Sequence, residues 1–123
     1  MYKEKIEKLV RLLNGAGEQD MAKDMDEILK SCAFYIDRVV AMESAQSILR
    51  FTLEPDDYRM TLTELDKNRK IAHNGLIANV KLMNRYCKLV GIDPIFKGDT
   101  DSRIEVAEFA MEIVKDIFET RKL

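Results

Sequence analysis

Arg69 and His73 stand one helical turn apart in the stretch KNRKIAHNGLIAN, residues 67–79, and His73 is the only histidine of the 123-residue chain. An imidazole exchanges protons near neutrality, and a guanidinium presents a planar fork of donors to a phosphate or carboxylate. On one helix face the pair has the residue types to hold and cleave a phosphodiester, or to carry a phosphoryl group. Asn79 follows on the same stripe. On an earlier segment Glu43 interrupts an apolar stripe, and Gln46, Ser47 and Arg50 continue that face in polar form.

The elements that must position these residues are helices. Apolar residues recur at three- and four-residue steps along nearly the whole chain, the period of an amphipathic helix. Tyr2, Ile6, Leu9, Val10 and Leu13 mark a short first helix stopped by Asn14-Gly15, with Asp20 a cap for the next. The second helix is predicted over about 21–52, with an inner stripe from Met25 through Ile36, Val39 and Val40. Pro55 cannot continue it but is suited to open the third, over about 55–90, striped by Tyr58, Leu62, Leu65, Ala72, Leu76, Met83 and Cys87. Gly75 inside that helix marks a bend or a close helix contact. Gly91 and Pro94 end it, and a last helix follows over about 103–121, after a cap at Thr100 or Ser102. Its face of Glu105, Glu108, Glu112, Lys115 and Glu119 is expected to meet water. Short connections make neighbours antiparallel. The fold expected is therefore an all-α antiparallel four-helix bundle, one domain over 1–123, with two long central helices and shorter first and last ones.

A tight hairpin at Pro55 sets residues equidistant from the turn opposite each other. Glu43 then falls within about one helical turn of Arg69. The expectation is an ion pair between them, in a polar core cluster of Glu43, Arg69, His73 and Asn79. Such a layer can simply fix helix register. An open polar cleft reached by both Arg69 and His73 would speak for catalysis, a sealed pair for structure, and a His73 projecting into solvent for phosphotransfer.

Composition narrows the choices. Twenty basic residues stand against twenty-two acidic ones, for a formal charge of −2, so nucleic acid is not indicated by net charge. The only cysteines, Cys32 and Cys87, fall on apolar helical faces, which suits reduced thiols in a cytoplasmic protein. No apolar run is long enough for a membrane span. A lone histidine with no Cys–His or Glu-x-x-His spacing argues against a metal, and no cofactor motif is present.

Three resemblances attach to these residues. The run RKIAH, from Arg69 to His73, resembles the Arg-to-His motif of the HEPN helical bundles, some of which cleave RNA, although that family places four to six residues between the two and this chain has three. The same run is similar to the Arg-x-x-Ala-His segment of histidine phosphotransfer domains. Where those carry a Lys and a Gly after the histidine, Leu76 and Ile77 stand here. Finally, Leu65–Gly91 resembles the signature segment of a small uncharacterised bacterial all-helical family, a domain of unknown function. Arg69, Ala72, His73, Asn74, Leu76, Ile77, Asn84 and Arg85 carry that likeness. It implies a helical bundle of bacterial origin and transfers no activity.

The sequence thus reads as a non-enzymatic helical interaction or regulatory protein, forming a homodimer or binding a helical partner. Residues such as Phe34, Ala41, Ala45, Ile48 and Leu49 lie off the main stripe of the second helix, where they either complete the bundle core along a long twisted helix or form a second face that meets another copy. The alternatives are an RNA-directed hydrolase using Arg69 and His73, and phosphotransfer through His73.

Overall fold

The computed structural model describes residues 2–119. Helix α1 spans Tyr2–Gly15 and buries Ile6, Leu9 and Leu13. It closes through Gly17, whose φ of 80° is the left-handed conformation that glycine adopts without strain. Helix α2, Gln19–Thr52, starts two residues before the expected Met21. Asp20 is accordingly not the cap. It lies inside the first turn, where its carboxylate faces the positive end of the helix dipole, while Glu18 holds the cap position without a side-chain bond. Leu53 turns to extended backbone, and Pro55 opens α3, Pro55–Leu89.

Helix α3 runs unbroken through Gly75. The glycine serves a close contact: a Cβ built there would stand 2.5 Å from the ring of Tyr35 on α2. Helix α4, Arg103–Val114, is capped by the Ser102 hydroxyl, which accepts from the Glu105 N–H at 3.3 Å. It passes into a π-helical turn, Lys115–Glu119, whose wider winding carries Ile117 into the core. Thr120 and Arg121, the expected end of this helix, and the side chain of Glu119 lie outside the described residues.

The four helices have unequal reach. With 34 and 35 residues, α2 and α3 are each about 50 Å long, whereas α1 and α4, with 14 and 12, reach only about 20 Å. The short pair covers the hairpin near its open end, and one continuous core there runs from Ala22 to Ile36 on α2 and from Leu76 to Cys87 on α3. Farther toward the Pro55 turn, only Val39, Met42 and Ala72 are buried on the hairpin. Beyond them the two helices run on as an arm, packed, among the described residues, on each other alone. Phe51 is 85% exposed there, Met60 72% and Ile48 63%. Val40, expected in the inner stripe, is 46% exposed at the root of the arm, because the core it was to join ends before it.

The segment between α3 and α4 fixes where α4 lies. Ile95 and Phe96 are buried, and the Phe96 ring packs on Phe109 of α4 with centroids 4.8 Å apart. Asn84 grips the Phe96 backbone at both ends: its amide donates to the carbonyl at 3.0 Å, and its oxygen accepts from the N–H at 3.3 Å. At the other end of the bundle, the Lys3 backbone N–H donates to Asp116 at 2.8 Å, which joins α1 to the π-helical turn and holds that carboxyl below its usual range. No helix among the described residues is long and apolar enough to cross a membrane.

Candidate functional site: the cleft at the root of the arm

Where α4 begins, it stands off from the hairpin and leaves an open cleft of about 650 Å³. Helix α3 contributes Asp66, Arg69, Lys70 and His73. Helix α2 supplies Val39, Val40 and Glu43, and α4 closes the far wall with Arg103, Ile104 and Glu108. The floor is aliphatic and the rim carries charges of both signs.

Arg69 is half-buried. Its Nη2 donates to Oε1 of Gln46 across the hairpin, and its Nη1 lies 3.5 Å from Asp66 Oδ1. Its Nε is buried with no partner. The expected partner, Glu43, does not take this place. Met42, Gln46 and Leu49 recur at four- and three-residue steps and form the seam toward α3, so Glu43, one residue past Met42, is rotated by about 100° toward the mouth of the cleft. It is exposed. Among the described residues no polar or charged residue is fully buried, so this is a partly wet cleft wall and not a polar layer sealed in the core.

His73 is half-buried as well, and its Nδ1 is a second buried atom without a partner. Burial pushes its pKa down, the cations Arg103 and Arg69 push the same way, and Glu43 opposes them. The surroundings thus favour the neutral imidazole, in which one nitrogen donates and the other accepts a hydrogen bond and the ring can act as a base.

Asn79 stands apart from the other three. Its amide donates to Ser31 Oγ at 3.0 Å and to Cys32 Sγ at 3.7 Å, and it does not line the cleft. Six residues beyond His73, it lies about 9 Å farther along α3. Of the four residues expected together, the structure gathers Glu43, Arg69 and His73. It adds two cations, Lys70, one turn before His73 on the same helix, and Arg103 from α4, which periodicity along single helices could not deliver.

A family model described as "Protein of unknown function (DUF3232)" matches residues 2–123. The chain belongs to the DUF3232 family. The likeness carried by Leu65–Gly91 to an uncharacterised all-helical family is thus a membership that spans nearly the whole chain. No curated protein and no solved structure matches it. Chemistry in this DUF3232 chain must therefore be judged from its own residues. Among those described, no three His, Cys, Asp or Glu side chains gather as for a metal ion. Cys32 and Cys87 are buried free thiols, the first with its pKa pushed up to about 11 by burial, so neither is a poised nucleophile.

Proposed function

We propose that this DUF3232 chain is a single-domain, non-enzymatic helical interaction protein that works as a homodimer, with the arm as its contact surface. The observation that supports this most directly is the outer half of the hairpin, which no other helix among the described residues covers. Large apolar residues stay in water there, Phe51 at 85% exposure foremost. A two-helix pair buries one seam only, and exposed apolar surface of this kind is covered when another chain packs on it. Buried free thiols at Cys32 and Cys87 suit a cytoplasmic setting.

Charge in the cleft favours the same reading. Arg69, Lys70 and Arg103 are matched by Glu43, Asp66 and Glu108, three against three, so no net positive field draws a polyanion. Light scattering on a dilution series of the full chain tests the proposal. A mass approaching twice 14.2 kDa supports it, and a mass of one chain at every concentration overturns it.

One observation favours a second reading, RNA-directed hydrolysis. Arg69 and His73 do reach one open cleft, each with a buried atom unpartnered. Cleavage of single-stranded RNA by the parent, abolished in His73→Ala, would establish it. Phosphotransfer through His73 is less favoured, because the ring is half-buried, with its Nδ1 fully buried.

A further inference from the structure

Over the arm, α2 divides cleanly into two faces. Met42, Ala45, Gln46 and Leu49 are buried or half-buried toward α3, while Val40, Ser44, Ser47 and Phe51 are exposed. Those four exposed residues follow one another at steps of four, three and four, the spacing of a coiled-coil seam. Ala41 and Ile48 border the seam on one side, also exposed. Glu43 and Arg50 border it on the other, seven residues apart and hence at the same heptad position. They are the only charges on α2 between Val40 and Thr52, and their signs are opposite.

We propose that a second copy of the chain covers this face, the two α2 helices packing antiparallel along Val40–Phe51 about a two-fold axis at the level of Ala45 and Gln46. The inference rests on the homodimer reading above and adds to it the surface, the direction and the register. In this register Ser44 meets the second copy's Ser47, and small side chains at the centre let the helices approach closely. Val40 meets the second copy's Phe51 at each end. That ring then lands beside Ile104, which is 73% exposed on the rim of the same cleft.

The charges select the direction. In an antiparallel pair, equivalent flanking positions face each other, so Glu43 lies opposite the second copy's Arg50, and symmetry repeats the pair. A parallel pair would set Glu43 beside Ile48 and leave the charge unmatched, an arrangement that burial penalises. Direction also follows from bulk. Antiparallel arms carry the two helical bodies to opposite ends, whereas parallel arms would bring both α4 helices to the same level. The dimer completes the mouth of each cleft, since Val40 and Glu43 are cleft residues. An α2 segment this short gives a contact at the small end of specific interfaces, so the dimer exchanges with monomer on dilution.

Charge exchange tests the register directly. Glu43→Arg places Arg against Arg in the dimer, and Arg50→Glu places Glu against Glu, so each variant alone should weaken dimerisation by about tenfold or more. Mixed in equal amounts, the two variants regain both attractive pairs and should reassociate to the parent mass, as should the double variant alone. Circular dichroism equal to the parent's confirms that these exposed substitutions leave the helices intact. A parent that never dimerises removes the homodimer reading and this inference with it. A dimeric parent whose Glu43→Arg, Arg50→Glu and Phe51→Ser variants all stay dimeric keeps the homodimer but moves its interface off α2. Variants that dissociate yet fail to reassociate when mixed overturn the antiparallel register.

Discussion

Arg69 crosses the hairpin to Gln46 and leaves Glu43, three residues earlier, exposed at the cleft mouth. The guanidinium thus joins α2 to α3 at the root of the arm through a neutral amide, with its Nε still unpaired. Replacing one partner should hurt more than replacing the charge. Gln46→Leu leaves the guanidinium with Asp66 alone, at 3.5 Å, and should destabilise by about 1 kcal/mol, the lower part of the range for a polar group that loses a partner, because Arg69 keeps that contact and some solvent. Arg69→Met keeps the stem packing and removes the orphan, so it should fall within about 0.5 kcal/mol of the parent. Urea denaturation at fixed protein concentration measures both. A loss in Arg69→Met larger than in Gln46→Leu would show that the charge itself holds the hairpin.

Much of this was readable from the chain before its fold was known, and the exceptions have physical causes. Helix limits follow from amphipathic period, from Asn14-Gly15 and from Pro55, all local signals. The region of the site followed too, since Glu43, Arg69 and His73 break stripes that packing would otherwise fill. The Glu43–Arg69 pairing did not follow, because counting from the turn gives distance along the axis but not rotation about it. Glu43 and Gln46, three residues apart at about 100° each, differ by about 60° around the helix, enough for Gln46 to face Arg69 in place of Glu43. Arg103 was illegible for another reason. Its place beside His73 depends on how the segment 90–102 seats α4, a long-range outcome that no window on α4 encodes. Neither could spacing reveal that the core stops at Ile36, since that depends on the lengths of α1 and α4 against the hairpin.

Gly75 and Tyr35 make a separable pair. A methyl at Gly75 would meet the Tyr35 ring at 2.5 Å, so Gly75→Ala should destabilise by about 1 kcal/mol, overpacking exceeding the gain in helix propensity. Once Tyr35→Ala has removed the ring, the same Gly75→Ala change should stabilise by up to about 1 kcal/mol. The reversal of sign in a double-mutant cycle is the diagnostic. Equal effects in both backgrounds would mean that the ring swings clear at no cost.

Asn84 holds the segment that delivers Arg103 to the cleft. Asn84→Leu leaves both the N–H and the carbonyl of Phe96 without their partner, in a residue only 8% exposed. A loss of about 2 kcal/mol is expected, together with faster exchange of the Phe96 amide hydrogen. Asn84→Asp keeps the acceptor and loses the donor, so it should protect that amide while still lowering the melting temperature. If Phe96 exchanges alike in all three proteins, the clamp does not hold the segment.

His73 should make stability fall in mildly acid solution. Its pKa in the fold lies below the ordinary 6.5, first through burial and then through Arg103 and Arg69. The unfolded chain therefore takes up the proton more readily than the folded one. The contribution of a neutral His73 is present above about pH 6.5 and is lost as pH falls toward and through the lower folded value. Carboxylates titrate nearby, so the quantity to follow is the difference between the parent and His73→Gln, which lacks the imidazole but keeps a polar group of similar size. That difference should be constant at neutral pH and shift against the parent below pH 6.5, measured by urea denaturation across the range. NMR titration of the single histidine gives the folded pKa directly. A value at or above 6.5, with no change in the stability difference, would mean that the imidazole is solvated and lies outside the influence of Arg69 and Arg103.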